Sequence, residues 1–541
     1  MRYDIRARDC LARSGTFTAG DLTCRLPGVI ETDQVFPDLK KRRHTNIPLS
    51  SDTEFAESWQ FRADSPPVEV HPAVSPGAGH GDVVMIPCWH TALSHPAAYV
   101  RWLIALKERV PPDTIWYAPA AALPSTAHLL SYTGFDLFDF RAVELRSAQG
   151  IFCLPEGEFP AEMMETGACS CAGCATGDLR SHNRLALIRE FALIRDFISR
   201  SRLRELVESR SRFVSEQVSI LRLLDASYAF TEPRTPVVRR APFGATTGEA
   251  LRRVEVVRFR ERVSRRFLPP AADVAVLLPC SARKPYSLSQ SHRKFIQAIA
   301  GRAHELIITS PVGLVPRELE RIYPAAHYDV PVTGYWDREE QGIIAAAIAE
   351  YFSHHPYRRV IAHLDGGALQ VAQTAAEICG ISIEVTCRDH PLNPVSLRSL
   401  EEALDGESPI RPDPVRGILS YQFGGQAETR GLEIRAKGPE MKVFLKGSQV
   451  FSLDPATGYL RPTFEGWNLI EGYRVDMGDL VPEGDVLAPG VLSAAHGIRD
   501  GDEVLAVGTG AIATGRAAMS GQEMEQYTRG VAVRVRKVRK L

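Results

Sequence analysis

The chain has 541 residues, 24% of them charged, and a formal net charge of −1. That length predicts three or four domains, and no apolar run approaches the roughly 18 residues that would span a bilayer. Near-neutral charge excludes a globally basic nucleic-acid binder, so any RNA contact has to come from local basic surface. Ten cysteines in so long a chain make no disulfide framework, and the opening MRYDIRARDCLARSG lacks an apolar signal core. The expected compartment is therefore reducing and cytoplasmic, with no membrane association.

The first region, residues 1–225, begins with hairpin-like alternation, and Asp33 to Gly81 reads as polar, proline-rich connection. Alternating strand and helix signals follow in DTIWYAPAAALPSTAHLLSYTGFDLFDF. Asp136 and Asp139 at its end are expected to cap or charge the exit of a strand. Cys169, Cys171, Cys174 and His182 then fall within fourteen residues. Three thiolates and one imidazole make a complete tetrahedral zinc set with no open position, so the metal is expected to be structural. The segment after His182, NRLALIREFALIRDFISRSRLREL, has apolar residues at helical spacing and predicts a long helix headed by that histidine.

Residues 226–270 are rich in arginine and read as a helical connector with an exposed basic face, either a solvated surface or an RNA contact. From 271 to 410 strands alternate with helices: VAVLLPC, HELIITSP, RRVIAHLD and ISIEVTC as strands, with SHRKFIQAIAGRA, VPRELERIYP, DREEQGIIAAAIAEYFSHH and ALQVAQTAAEICG as helices. Such alternation predicts a doubly wound parallel sheet, with ligands beyond the carboxyl ends of its strands. Those ends carry Cys280, Ser310, Gly313 and Asp365.

The first strand leads into PCSARKPYSLSQSH, residues 279–292, which concentrates a thiol, an amine, a phenol and an imidazole in one loop. A plain connection would be short, with glycine, asparagine or aspartate. The candidate catalytic residues are Cys280, Lys284, His292 and Asp365. Ser281, Tyr286, Ser287, Ser289, Ser291, Ser310 and Gly313 are the candidate substrate contacts. Cys280 is expected to act as a nucleophile whose thiolate is favoured by Lys284 and helix amides, with His292 moving protons. The alternative for Cys280 is a small apolar residue finishing a strand.

Residues 416–470 form a small α+β region, and 473–541 end in VAVRVRKVRKL. There Val531, Val533 and Val535 are expected inward and Arg534, Arg536 and Arg539 outward, a basic strand face suited to phosphates. Arg529 completes the candidate RNA contacts.

These motifs carry a resemblance to known families. The Cys-x-Cys-x2-Cys loop with His-Asn heading a helix resembles the zinc site of tRNA-guanine transglycosylases. The chain lacks their early DSGG- or DTGG-like aspartate turn in residues 1–168, and the region is well short of the about 250 residues of a full (β/α)8 barrel. A degenerate barrel-like domain without base exchange is expected. The long 279–292 segment, SPVGLVPRELE and YDVPVTGYWDREE resemble the archaeosine synthase alpha-subunit family, and GRAAMSGQEMEQYTRGVAVRVRKVRKL resembles a PUA domain, a β-barrel RNA-binding module. The resemblance implies addition of free lysine to the nitrile of 7-cyano-7-deazaguanine at position fifteen of tRNA. A separate radical-SAM subunit would then cleave the adduct. It is compatible with a homodimer, and it leaves the nitrogen donor, a base-exchange activity and a non-catalytic tRNA-binding role as alternatives.

Overall fold

The computed structural model describes residues 2–35, 68–69, 83–85, 92–239, 241–330, 336–425, 429–437 and 440–541. Most of the expected Asp33–Gly81 connection, and part of YDVPVTGYWDREE, lie outside them. The chain divides into two compact units. The first comprises Met1–Pro236 with Val486–Val491 and Met519–Ala532, and the second comprises the rest.

The first unit is built on four parallel strands, β1 (Gly28–Ile30), β2 (Val83–Met85), β3 (Ile115–Ala118) and β4 (Leu137–Asp139), in the order β1-β4-β3-β2. Among the described residues a short fifth strand, Val68–Glu69, pairs antiparallel with β2 at the edge of this sheet. Strand residues alternate faces. Ile115, Tyr117, Val83, Met85 and Leu137 turn toward Phe17 and Leu26 of an N-terminal antiparallel meander. Trp116, Ala118, Val84 and Phe138 face the helices instead. Among these, α1 (Pro96–Arg109) starts with proline at its first position and buries Tyr99, Val100, Leu103 and Leu106 at helical spacing. The helix predicted after the cysteines is α2 (Leu179–Ser199), capped by Asp178, whose side chain accepts from the Ser181 amide. It buries Leu187, Phe191, Ile194 and Ile198.

The second unit holds the predicted doubly wound sheet: β5 (Val274–Pro279), β6 (His304–Thr309), β7 (Gly313–Pro316), β8 (Arg359–Ala362) and β9 (Ile383–Val385), in the order β7-β6-β5-β8-β9. All pairings are parallel except β6 with β7. On one face α3 (Gln290–Ile299) packs against the helix Pro394–Ala403; on another, α4 (Arg338–His354) packs against α5 (Gly366–Cys379) and the helix Val254–Arg265.

Two expectations are corrected. VPRELERIYP is not a helix: it continues β7 and then makes a single 3-10 turn, Arg317–Leu319. Val315, Leu319 and Ile322 mimic a helical period, but Pro316 and Pro324 break the segment up. Nor are residues 226–270 a basic connector. The boundary falls at Pro236, and Arg253, Arg258 and Arg262 are all buried, with Arg253 paired to Glu255.

The 416–470 region is α+β as expected, a helix (Pro414–Phe423) followed by a four-stranded antiparallel sheet. At the C-terminal end β10 (Glu503–Val507), β11 (Ala511–Ala517) and β12 (Val531–Lys540) pair antiparallel.

Candidate functional site

The cysteine cluster forms around the head of α2. Cys171 Sγ lies 3.7 Å from Cys174 Sγ, and His182 Nδ1 lies 3.3 and 3.2 Å from those two sulfurs. The ligand atoms of Cys169, Cys171, Cys174 and His182 all fall within 4.8 Å of one another. Tetrahedral zinc would set edges of about 3.8 Å between sulfurs and about 3.6 Å between sulfur and nitrogen, so the four residues fit such an ion. His182 Nε2 lies 3.1 Å from the Cys153 carbonyl and the ring stacks on Phe152. Donation from Nε2 to that carbonyl fixes the tautomer that leaves Nδ1 free to ligate. The cluster could therefore hold a metal ion.

Neither Asp136, just before β4, nor Asp139, at its end, is free for chemistry. Asp136 is buried against Arg13 and accepts from the Trp116 amide at 2.9 Å. Asp139 accepts from Tyr117 Oη at 2.9 Å, Thr32 Oγ1 at 3.1 Å and the amides of Ala120 and Arg141. Both fasten strand ends, as expected from the sequence.

In the second unit a cavity of about 340 Å³ opens at the carboxyl ends of β5, β6 and β8. From β5 the chain winds outward to β6 and then returns to the other side as β8, so β5 and β8 flank the topological switch point. Pro279 and Cys280 follow β5, Ser310 and Pro311 follow β6, and Asp365, Gly366 and Gly367 follow β8. Gly366 has φ +47°, a left-handed turn that swings the chain from the strand into α5 and points the amino end of that helix at the cavity. Asp365 precedes the helix without capping it, which leaves its carboxylate available to a ligand.

Cys280 is solvent-accessible through the cavity, yet protein surrounds its sulfur closely enough that burial raises its pKa. A Thr309 hydrogen bond and the Lys284 charge act the other way and do not prevail. The expected low-pKa thiol is thus corrected: the resting group is a thiol. Lys284 shows the complementary shift. Burial lowers its pKa, against the opposing pull of Cys280 and Asp329, and its Nζ sits 3.9 Å from the centre of the Tyr328 ring.

His292 is not part of the cavity wall. It is fully buried, its Nδ1 lies 2.9 Å from a guanidinium nitrogen of Arg317, and burial with that cation drives its pKa down to about 3. Burial and the Arg317 cation both disfavour the protonated imidazole, which argues against the expected proton-moving role. Most of the serines are likewise structural. Ser287 binds Glu320 through its amide at 2.8 Å and also through its hydroxyl, and Glu320 is held by Arg317 at 2.8 Å. Ser289 caps α3 and contacts Ser291, while Ser281 donates to the Arg283 carbonyl. Tyr286 is buried with its hydroxyl 3.1 Å from that of Tyr328. Gly313 begins β7 against Arg260 and does not line the cavity.

Of the residues singled out from sequence, Cys280, Ser310 and Asp365 meet in the cavity. Sequence reasoning missed Trp336, Asp337, Glu340 and the 245–251 segment, which complete its wall. Ser310 donates to Glu340, whose pKa burial raises, and Asp337 caps α4 through the Glu340 amide.

At the C-terminal strand, Gly515 pairs with Val535 and Thr514 with Lys537, so Arg536 is the extra residue of a bulge. Val533 is buried, Val531 and Val535 are half-buried and Arg534, Arg536 and Arg539 are exposed, so the expected alternation holds as far as the bulge, beyond which Val538 is 38% exposed. Arg536 pairs with Glu503 and Arg539 with Glu465, and Arg529 lies over the Tyr3 ring. Arg534 and Lys537 are exposed with no ion-pair partner among the described residues.

Residues 256–404 match a family described as a domain of unknown function (DUF5591), and residues 480–539 match the PUA domain. The chain is 39% identical to archaeosine synthase subunit alpha of Methanosarcina acetivorans, over 82% of this chain and 77% of that protein. It is 33% identical to archaeosine synthase of Haloferax volcanii over 99% of both chains. A tRNA-guanine(15) transglycosylase of Methanobrevibacter smithii is 29% identical over 45% of this chain and 40% of its own length. With its switch-point cavity, its metal-ligand cluster and its PUA domain, this chain belongs to the archaeosine synthase family.

Proposed function

We propose that this chain adds the amine of free lysine to the nitrile carbon of 7-cyano-7-deazaguanine in tRNA, at position fifteen, giving an amidine-linked adduct for a radical-SAM partner subunit to cleave. Family membership supports an enzyme of tRNA modification in archaeosine biosynthesis. The observation that carries the finer chemistry is the meeting of the Cys280 thiol, the Asp365 and Glu340 carboxyl groups and a helix amino end in one switch-point cavity.

The reaction proceeds in two additions. Lys284, whose pKa burial lowers, acts in its free-base form and takes the Cys280 proton as sulfur bonds to the nitrile carbon. The proton passes to the nitrogen, and the product is a thioimidate. The lysine amine then attacks the same carbon, the C–S bond breaks, the thiol regains its proton and an amidine remains. One slow addition becomes two easier ones. Lys284 thus takes the proton-moving role first assigned to His292. Asp365 and Glu340 are placed to hold the ammonium group of the incoming amino acid, and the α5 amino end suits its carboxylate. The Cys169–Cys171–Cys174–His182 cluster holds a structural zinc ion, and exposed Arg534 and Lys537 meet RNA phosphates.

The direct test is to incubate the chain with nitrile-bearing tRNA and lysine and weigh the nucleosides. A gain of one whole lysine, with nothing lost, is expected. A nucleoside unchanged by lysine but altered by another nitrogen donor would overturn the reading.

A further inference from the structure

We propose that the first unit contains a site for a single tetrahedral oxyanion of the phosphate type, in a small cavity walled by Arg8, Arg13, Lys107 and Arg234. The cavity measures about 40 Å³, room for a few waters and far too little for a nucleoside or an amino acid.

Charge is what marks it. Four cations face this space, and two carboxylates accompany them. Asp136 is taken up by Arg13, whose remaining donors bind the Pro112 and Thr114 carbonyls at 3.1 and 2.6 Å. Glu523 is taken up as well: one oxygen accepts from Arg8 and Tyr527, each at 3.2 Å, and the other from the Ser520 amide and hydroxyl. Neither Lys107 nor Arg234 makes a direct ion pair with a carboxylate among the described residues, although the Asp136 charge acts on Lys107. Lys107 donates to the Gly134 carbonyl at 2.7 Å and rests 3.5 Å from the centre of the Trp116 ring. Arg234 donates to the Phe230 carbonyl at 2.7 Å and lies over the ring of the same residue.

Sequestered charges in proteins are normally paired, because desolvation is costly otherwise. Here two cations that repel each other line one void, and burial together with the Arg13 and Arg234 charges holds the Lys107 pKa well below its ordinary value. A bound oxyanion would reverse that penalty by accepting from Lys107 and Arg234 together. Two sources offer the same chemistry: free inorganic phosphate and a phosphodiester of the RNA backbone.

The intact chain and its Arg234→Gln, Arg234→Lys and Lys107→Met variants separate the outcomes. Tm is followed while sodium phosphate replaces sodium chloride at constant ionic strength, and tRNA affinity is measured against salt. Wild type should gain a few degrees, saturably, from phosphate, because a ligand that binds the native state stabilises it. R234Q and Lys107→Met should not respond, and Arg234→Lys should retain part of the response. If RNA is the source, R234Q also reduces the salt slope of tRNA binding by about one. If free phosphate is the source, the tRNA slope is the same in all four proteins. Equal responses to phosphate together with equal tRNA slopes across wild type and the charge-removing variants would overturn the site, as would no wild-type response with unchanged slopes.

Discussion

Replacing Gly173 with alanine should abolish metal binding without touching any ligand. A Cβ at Gly173 would lie 2.3 Å from the His182 amide nitrogen, 2.7 Å from its Cα and 2.9 Å from the Asp178 carbonyl oxygen. All three obstacles are backbone, so no side-chain rotation relieves them. Restoring ordinary contact requires the cysteine turn and the start of α2 to part by about 1 Å, which overpacking data put at roughly 1–3 kcal/mol. A comparable shift of His182 would stretch its 3.2–3.3 Å approach to the sulfurs to about 4.3 Å, outside the tolerance of about 0.2 Å on metal–ligand bonds. The assay is zinc content of purified protein with Tm before and after a chelator. Wild type should hold about one equivalent and lose stability on chelation. Gly173→Ala should hold well under half, melt a few degrees lower and ignore the chelator. A variant with full zinc and wild-type Tm would falsify the fit of an ion to this turn.

Cys280→Ala should abolish adduct formation, and unimpaired activity would leave direct attack by lysine as the better mechanism. Lys284→Arg keeps the charge but cannot serve as a base, so its rate should fall by roughly 10²–10⁴-fold. In wild type the active pair is a neutral amine beside a neutral thiol. Its population rises with pH through the lowered Lys284 pKa and falls again above the raised Cys280 pKa. Loss of the acid limb of the kcat profile in Lys284→Arg tests this assignment, and an unaltered profile counts against it. Labelled guanine should not enter unmodified tRNA, because Asp136 and Asp139 are both consumed by structural bonds, and measurable incorporation would contradict that reading. Replacing Arg534 and Lys537 with glutamine should lower the salt slope of tRNA binding by about two, whereas Arg536→Gln should mainly destabilise the strand through the loss of its bond to Glu503.

What could be read from sequence was what the chain keeps local. The metal ligands sit on one turn and one helix start, so spacing alone assembled them. The sheet was legible because its strands are apolar runs separated by helices of ordinary length. The cavity was legible only at the strand ends, since its other wall comes from residues 245–251 and 336–340, which carry no periodic signal. The reactive look of residues 279–292 misled for a related reason. Arg317 and Glu320 are needed to see that His292 and Ser287 are tied into a bonding network, and they lie some thirty residues away in sequence. The bulge at Arg536 similarly depends on the partner strand, and alternation within β12 gives no sign of it.

The Thr528 amide and hydroxyl both donate to Asp113, at 2.9 and 2.7 Å, across 415 residues of sequence. Segment Met519–Ala532 is thus a component of the first unit, although it is made late. At about 5–20 residues per second, roughly 20–80 s of synthesis separate Asp113 from its partner. Throughout that interval the first unit lacks a piece of itself, and its completion waits until Met519–Ala532 has left the ribosome. A ribosome-bound chain would carry an unfinished surface for which early domain closure is no remedy, which makes chaperone dependence during translation a measurable property of this architecture.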